Sequence, residues 1–212
     1  MNNSTIKIGV TILSIILLFN IFSITEYSYS QKDDEEEEEE ALPPGETPKP
    51  KVSVAIDGTE NDDKIKGGSG DDELSGNEGN DVLDGADGND EIDGGEGNDT
   101  LRGGNDDDTI QGGAGNDVIK GGNGDDEIDG GEGNDDLSGM RGDDDIKGGS
   151  GDDTISGGHG NDTLSGGKGA DMFNCDIGDE IKDFDSSEGD EITGDCIYKD
   201  EAAAKVEETQ NT

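Results

Sequence analysis

The chain contains no tryptophan, three tyrosines, four phenylalanines, four prolines, two cysteines and one histidine in 212 residues. An aromatic content of 3% excludes a broad core built on large rings. A single imidazole, His159, excludes the multi-histidine zinc sites and most histidine-based acid–base catalysis. Positive charge is also scarce: 14 Lys and Arg stand against 57 Asp and Glu, for a net charge of −43. That sign excludes nucleic acid as a ligand. Long apolar runs are limited to Ile8–Ile24 near the start. In bulk terms this is the composition of a disordered acidic tract, but the order in which the residues occur argues otherwise.

Thirteen consecutive nine-residue units run from Gly58 to Asn174 without an insertion or deletion. Position 1 is Gly in every unit, position 4 is Gly except at Asn61 and Asp106, and position 2 is Gly in nine units. Position 6 is always Asp: Asp63, Asp72, Asp81, Asp90, Asp99, Asp108, Asp117, Asp126, Asp135, Asp144, Asp153, Asp162 and Asp171. Position 8 is always apolar, from Ile65 to Phe173. A fixed short period means one small unit stacked on itself.

Glycine at positions 1, 2 and 4 permits positive φ and close backbone approach, as a tight six-residue turn requires. Positions 7 to 9 alternate polar, apolar, polar, which predicts a three-residue strand showing one side chain to a core. Two such units make one coil of a flattened right-handed spiral. Coils stacked as parallel strands about 4.8 Å apart give an all-β solenoid about 31 Å long.

These units resemble the glycine-rich nonapeptide G-G-x-G-x-D-x-U-x (U, large apolar) of the RTX (hemolysin-type) family of secreted proteins, and Gly94–Arg102 and Gly112–Lys120 fit it fully. The resemblance implies a calcium-bound parallel β-roll. It also implies that the thirteen position 6 aspartates, together with turn carbonyls, hold calcium between neighbouring turns on both edges.

Charge supports this separately. The repeat block holds 33 acidic and 7 basic residues. A site shared by units n and n+2 can occur eleven times in thirteen units, so roughly ten divalent ions would nearly cancel a repulsion that otherwise drives the turns apart. Oxygen ligands on glycine turns favour calcium over magnesium, which demands strict octahedral geometry. One apolar residue in nine is also too thin a core to offset chain entropy, so metal binding is expected to supply folding energy.

Outside the repeats, Lys7, the apolar run and Ser28-Tyr29-Ser30 read as a signal peptide over 1–30, an uncleaved membrane anchor being the competing reading. Residues 31–51 form an acidic, proline-rich linker with eight acids at Asp33–Glu40. Residues 52–57 alternate as an N-terminal capping strand, 175–198 form a C-terminal cap around Ile177, Ile181, Phe184, Ile192 and Ile197, and 199–212 a tail. Asp183 and Asp190 are either ligands of a terminal calcium site or solvated acids. Cys175 and Cys196 most simply form a disulfide in an exported protein, with two free thiols as the alternative.

No catalytic constellation is present, so the chain is not expected to be an enzyme. Arg141-Gly142-Asp143 and the sequons at Asn98 and Asn161 fall on ordinary repeat positions. The expected role is that of a secreted or cell-surface calcium-binding structural or adhesive protein. Its partner would be an envelope polymer or surface protein, docked on the sheet displaying Lys64, Lys66, Arg102 and Lys120. An extracellular calcium buffer or store is the alternative, and an enzyme-associated repeat module a third.

Overall fold

The computed structural model describes residues 51–198. The signal peptide or anchor, all of the linker but Lys51, and the tail lie outside the described residues. Sixteen strands follow in chain order: β1 (Ala55–Asp57), β2 (Lys64–Ser69), β3 (Glu73–Glu78), β4 (Val82–Asp87), β5 (Glu91–Glu96) and β6 (Thr100–Asn105). Next come β7 (Thr109–Ala114), β8 (Val118–Asn123), β9 (Glu127–Glu132), β10 (Asp136–Arg141) and β11 (Asp145–Ser150). The last are β12 (Thr154–His159), β13 (Thr163–Lys168), β14 (Met172–Cys175), β15 (Glu180–Ile181) and β16 (Glu191–Gly194).

The chain alternates between two eight-stranded sheets, one holding the odd-numbered strands and the other the even-numbered ones. Each strand pairs in parallel with the strand two along, so two units complete one coil and register advances by eighteen residues, as in Ile92↔Ile110 and Ile110↔Ile128. The fold is an all-β parallel β-roll. Its core is one column of position 8 side chains per sheet, and Leu74 through Phe173 at that position are all but fully buried. Ile65, in the first coil, is 8% exposed.

Strands β2 to β13 are six residues long where the alternation predicts three. They run from position 7 through position 3 of the next unit because glycine-rich positions 2 and 3 also pair across coils, as in Gly95↔Gly113 and Glu96↔Ala114. The turn contracts to positions 4–6 and is itself stacked, Gly97 N donating to Ala114 O at 2.7 Å.

The glycines divide by cause. Positions 2 and 4 carry positive φ, as at Gly95 (102°) and Gly97 (137°), whereas position 1 glycines do not. From the second unit onward, the four departures from glycine at positions 2 and 4 are the four non-glycine residues with positive φ: Asn77, Ala86, Asp106 and Met140.

Lengthening the strands sharpens the difference between the faces. The even sheet displays Lys64, Lys66, Arg102, Lys120 and Arg141 against Asp84, Asp87, Asp136 and Glu191, a net +1. The odd sheet displays eleven acids and only Lys147 and Lys168, a net −9. Val82, Val118, Met140 and Met172 stand exposed on the even face.

At the start, β1 covers only part of the 52–57 alternation, with Val52 N donating to Ser69 O. At the end, β15 and β16 add one strand to each sheet, Cys175 is bonded to Cys196, and Phe184 meets Tyr198 edge-on at 5.0 Å. Ile181 and Phe184 are buried, but Ile177 is 83% exposed and Ile197 64%. Ile177 is displaced because its segment turns tightly to bring Asp176 N onto the Asp179 carboxylate.

Met140 holds a conformation that costs an L-residue about 1–2 kcal/mol. Met140→Gly is therefore expected to raise the melting temperature of the calcium-loaded roll. Gly97→Ala, whose Cβ would overlap the Gly79 carbonyl oxygen, should lower it sharply. Thermal melts followed by circular dichroism check both.

Candidate metal centre

The site begins with position 6. Each turn delivers its aspartate inward, so Asp72 through Asp171 are only 1–2% exposed. One carboxylate oxygen is used at once: Oδ1 accepts the backbone N–H of the position 6 residue one coil earlier, as in Asp72 N to Asp90 Oδ1 (2.8 Å) and Asp99 N to Asp117 Oδ1 (2.8 Å). The result is two ladders of aspartates at eighteen-residue intervals, one along each edge.

The other oxygen has no protein partner. Oδ2 of all twelve residues Asp72, Asp81, Asp90, Asp99, Asp108, Asp117, Asp126, Asp135, Asp144, Asp153, Asp162 and Asp171 is buried without a hydrogen bond. A buried ionised carboxylate left in this state costs several kcal/mol, on the order of a lost charge-assisted hydrogen bond or more.

Position 1 glycine explains what the space beside it is for. A Cβ at Gly94 would lie 2.5 Å from Asp99 Oδ2 and 2.5 Å from the Gly112 carbonyl oxygen of the next coil. The missing side chain thus keeps a small gap where a carboxylate oxygen and a carbonyl oxygen converge. Hard anionic and carbonyl oxygens at the same point form a donor set suited to calcium. Among the described residues no three acidic, histidine or cysteine side chains cluster tightly enough to hold a metal by themselves; the converging backbone carbonyls are further oxygen donors that the turns offer. The residues present fit calcium. The ion would supply the positive charge that the orphaned oxygens lack.

The ladder ends differ. Asp63 is half-buried and its Oδ2 accepts from Thr59 N (2.6 Å) and Thr59 Oγ1 (2.8 Å). At the other end stands Asp179, which the nine-residue pattern does not single out and which is fully buried. Its Oδ1 accepts Asp162 N and its Oδ2 accepts Asp176 N. Asp190 continues the second ladder, accepting Asp171 N on Oδ1 and Asp185 N on Oδ2. A spacing of 17 residues in place of 18 hides Asp179 from a nine-residue register, although a search for Asp near the expected distance would find it; Asp190, at a spacing of 19, is one of the two cap acids the sequence singles out. Asp183 plays a different part, accepting Ser165 Oγ, Gly166 N and Gly167 N and so closing the final coil of the odd sheet.

Burial sets the protonation of the ladder. Desolvation, partly offset by the N–H from the neighbouring coil and reinforced by nearby carboxylates, raises Asp81, Asp99 and Asp135 above the ordinary 3.8. It lifts Asp90, Asp117, Asp126, Asp153, Asp162 and Asp171 to about 6. Asp108 and Asp144 reach about 7.

A carboxyl raised on folding takes up protons as the chain folds. Without calcium, the stability these groups contribute is therefore present below pH 3.8 and is lost as pH rises through 6 to 7. Calcium requires the ionised form and must displace those protons. Where protonation keeps the calcium-free roll folded, at acid pH, uptake should release protons; the release should fade towards pH 8, where the calcium-free chain is unfolded and its carboxyls already ionised, and half-saturation should need more calcium as pH falls from 7 to 5. Calorimetry in two buffers of different ionisation enthalpy measures the release.

The family model for the RTX calcium-binding nonapeptide repeat (4 copies) matches the chain at residues 57–92, 67–101, 75–110, 84–119, 102–137 and 138–173. No curated protein matches it.

Proposed function

The chain belongs to the RTX calcium-binding nonapeptide repeat family, and from that premise we propose that it is a non-catalytic, extracellular structural or adhesive protein whose roll is folded by external calcium. The observation that carries this is the row of twelve buried carboxylate oxygens without protein partners, one per turn. The ligands are the aspartates from Asp72 to Asp171, joined by position 1 carbonyls such as Gly112 O beside Asp99 and Gly130 O beside Asp117. Asp63, already satisfied by Thr59, is left out of the set. Extracellular calcium modules bind with dissociation constants on the order of 10⁻⁴ to 10⁻³ M, a range that suits an ion supply outside the cell. The leader-like sequence at 1–30 supports the same compartment, and so does the bonded Cys175–Cys196 pair.

The even face supports an adhesive role. Its cationic side chains and exposed Val82, Val118, Met140 and Met172 contrast with the densely acidic odd face. The occupant that complements it is an anionic envelope polymer, held by Lys64, Lys66, Arg102 and Lys120 while the odd face stays in solvent. A second reading, calcium storage, is favoured by site number alone: twelve orphaned oxygens in one small roll offer capacity without any partner.

The founding test is a calcium titration followed by circular dichroism and calorimetry. The chain should lack ordered sheet in chelator and gain it at millimolar calcium. An unchanged spectrum, or no heat of binding, rejects calcium-driven folding. Replacing Lys64, Lys66, Arg102 and Lys120 with Gln should leave calcium uptake intact while abolishing salt-sensitive retention on an anionic polysaccharide. Retention by the variant equal to that of the parent would leave storage as the better reading.

A further inference from the structure

The two edges of the roll are built from different turns. On one edge the three central turns read Gly97-Asn98-Asp99, Gly115-Asn116-Asp117 and Gly133-Asn134-Asp135. On the other they read Asp106-Asp107-Asp108, Gly124-Asp125-Asp126 and Gly142-Asp143-Asp144. The first trio carries three carboxylates and the second seven. Glu96 and Glu132 beside the first, and Arg141 beside the second, narrow this difference without reversing it.

The additional carboxylates are fixed in place. Asp125 N donates to Asp107 Oδ1 (2.7 Å), Asp143 N to Asp125 Oδ1 (2.8 Å) and Asn161 N to Asp143 Oδ1 (2.8 Å). Each position 5 acid is thereby held one residue from an aspartate whose own Oδ2 is buried and unpartnered, namely Asp108, Asp126 or Asp144. On the opposite edge the same bonds are made by neutral amides, Asn98 N to Asn80 Oδ1 (3.0 Å) and Asn116 N to Asn98 Oδ1 (2.8 Å). The hydrogen-bonded geometry is therefore matched and the charge is not.

Asp106 adds a second sign. It occupies position 4, where eleven of the thirteen units have glycine, and holds φ at 74°. A residue kept in a disfavoured backbone region where glycine would fit without strain invites a functional reason. Here the exchange places one more carboxylate at the densest point of the edge, where among the described residues the exposed Lys51 is its ion-pair partner, at 3.7 Å.

Cation affinity in oxygen sites rises with the negative charge around the ion. We infer that calcium fills the sites of Asp108, Asp126 and Asp144 first, with Asp106, Asp107, Asp125 and Asp143 setting their higher affinity from outside the ligand set. The inference rests on the calcium reading above and assigns an order of filling to those sites.

The test is calorimetry of the full-length chain with calcium at low ionic strength, comparing two variants of equal charge change. Asp106→Gly with Asp107→Asn, Asp125→Asn and Asp143→Asn should raise the half-saturating calcium of the tightest class about ten-fold, by loss of screened attraction at short range. The Gly substitution also relieves backbone strain, so weaker binding by this variant cannot be attributed to a damaged turn. Glu60, Glu78, Glu96 and Glu132, each changed to Gln, remove as much charge beside the other edge and should move that class less than two-fold. Hydrogen exchange at sub-saturating calcium should protect the turns 106–108, 124–126 and 142–144 of that edge before the turns 97–99, 115–117 and 133–135 of the other. Equal shifts from both variants, a single class of sites, or simultaneous protection overturns the order of filling and leaves calcium binding standing. Absence of binding in the parent chain overturns both.

Discussion

Everything in this fold turns on a carboxylate with two unlike oxygens. One closes a hydrogen bond to the coil before it, and the other is carried into the interior with nothing from the protein to meet it. Hydrophobic burial does not offset this, since each turn contributes one core side chain. The same side chain therefore organises the backbone and creates a local deficit of positive charge. That coupling is what would make a bound ion a structural element of the roll.

The closing of the ladders shows the same logic inverted. Where no further repeat is available, Thr59, Asp176 and Asp185 donate protein hydrogen bonds to the second oxygen of Asp63, Asp179 and Asp190. Asp183 caps bare N–H groups of the last full coil. The boundaries are finished with ordinary protein donors, while the interior turns present oxygens that only a cation satisfies well.

Most of the architecture was legible because a nine-residue period leaves few alternatives. Constant Asp and constant apolar positions separated by two residues specify one inward carboxylate and one core side chain per unit. The pairing of units n and n+2 then follows from closing a coil. Strand length was not legible, since alternation sees side chains and the extra pairing is made by glycine-rich backbone. At position 1 only the close-approach half of the expectation holds: its glycine makes room for a carboxylate and a carbonyl, with no left-handed φ involved. Asp179 escaped because the cap's irregular spacing breaks the period while its hydrogen bonds keep it, whereas Asp190, singled out as a terminal ligand or a solvated acid, continues the ladder with both oxygens on backbone N–H groups. Ile177 shows the converse, an apolar residue surrendered to solvent so that a turn can close.

Registry by eighteens also constrains how such a chain can change length. Gain or loss of a pair of units leaves every later strand in its own sheet. Insertion of a single unit would transpose them all, sending Lys120 and Arg141 to the wall now occupied by Glu127 and Asp145, and exchanging the asparagine-rich rim for the aspartate-rich one. Evolution of this architecture is therefore quantised in whole coils wherever the distinction between its two walls matters.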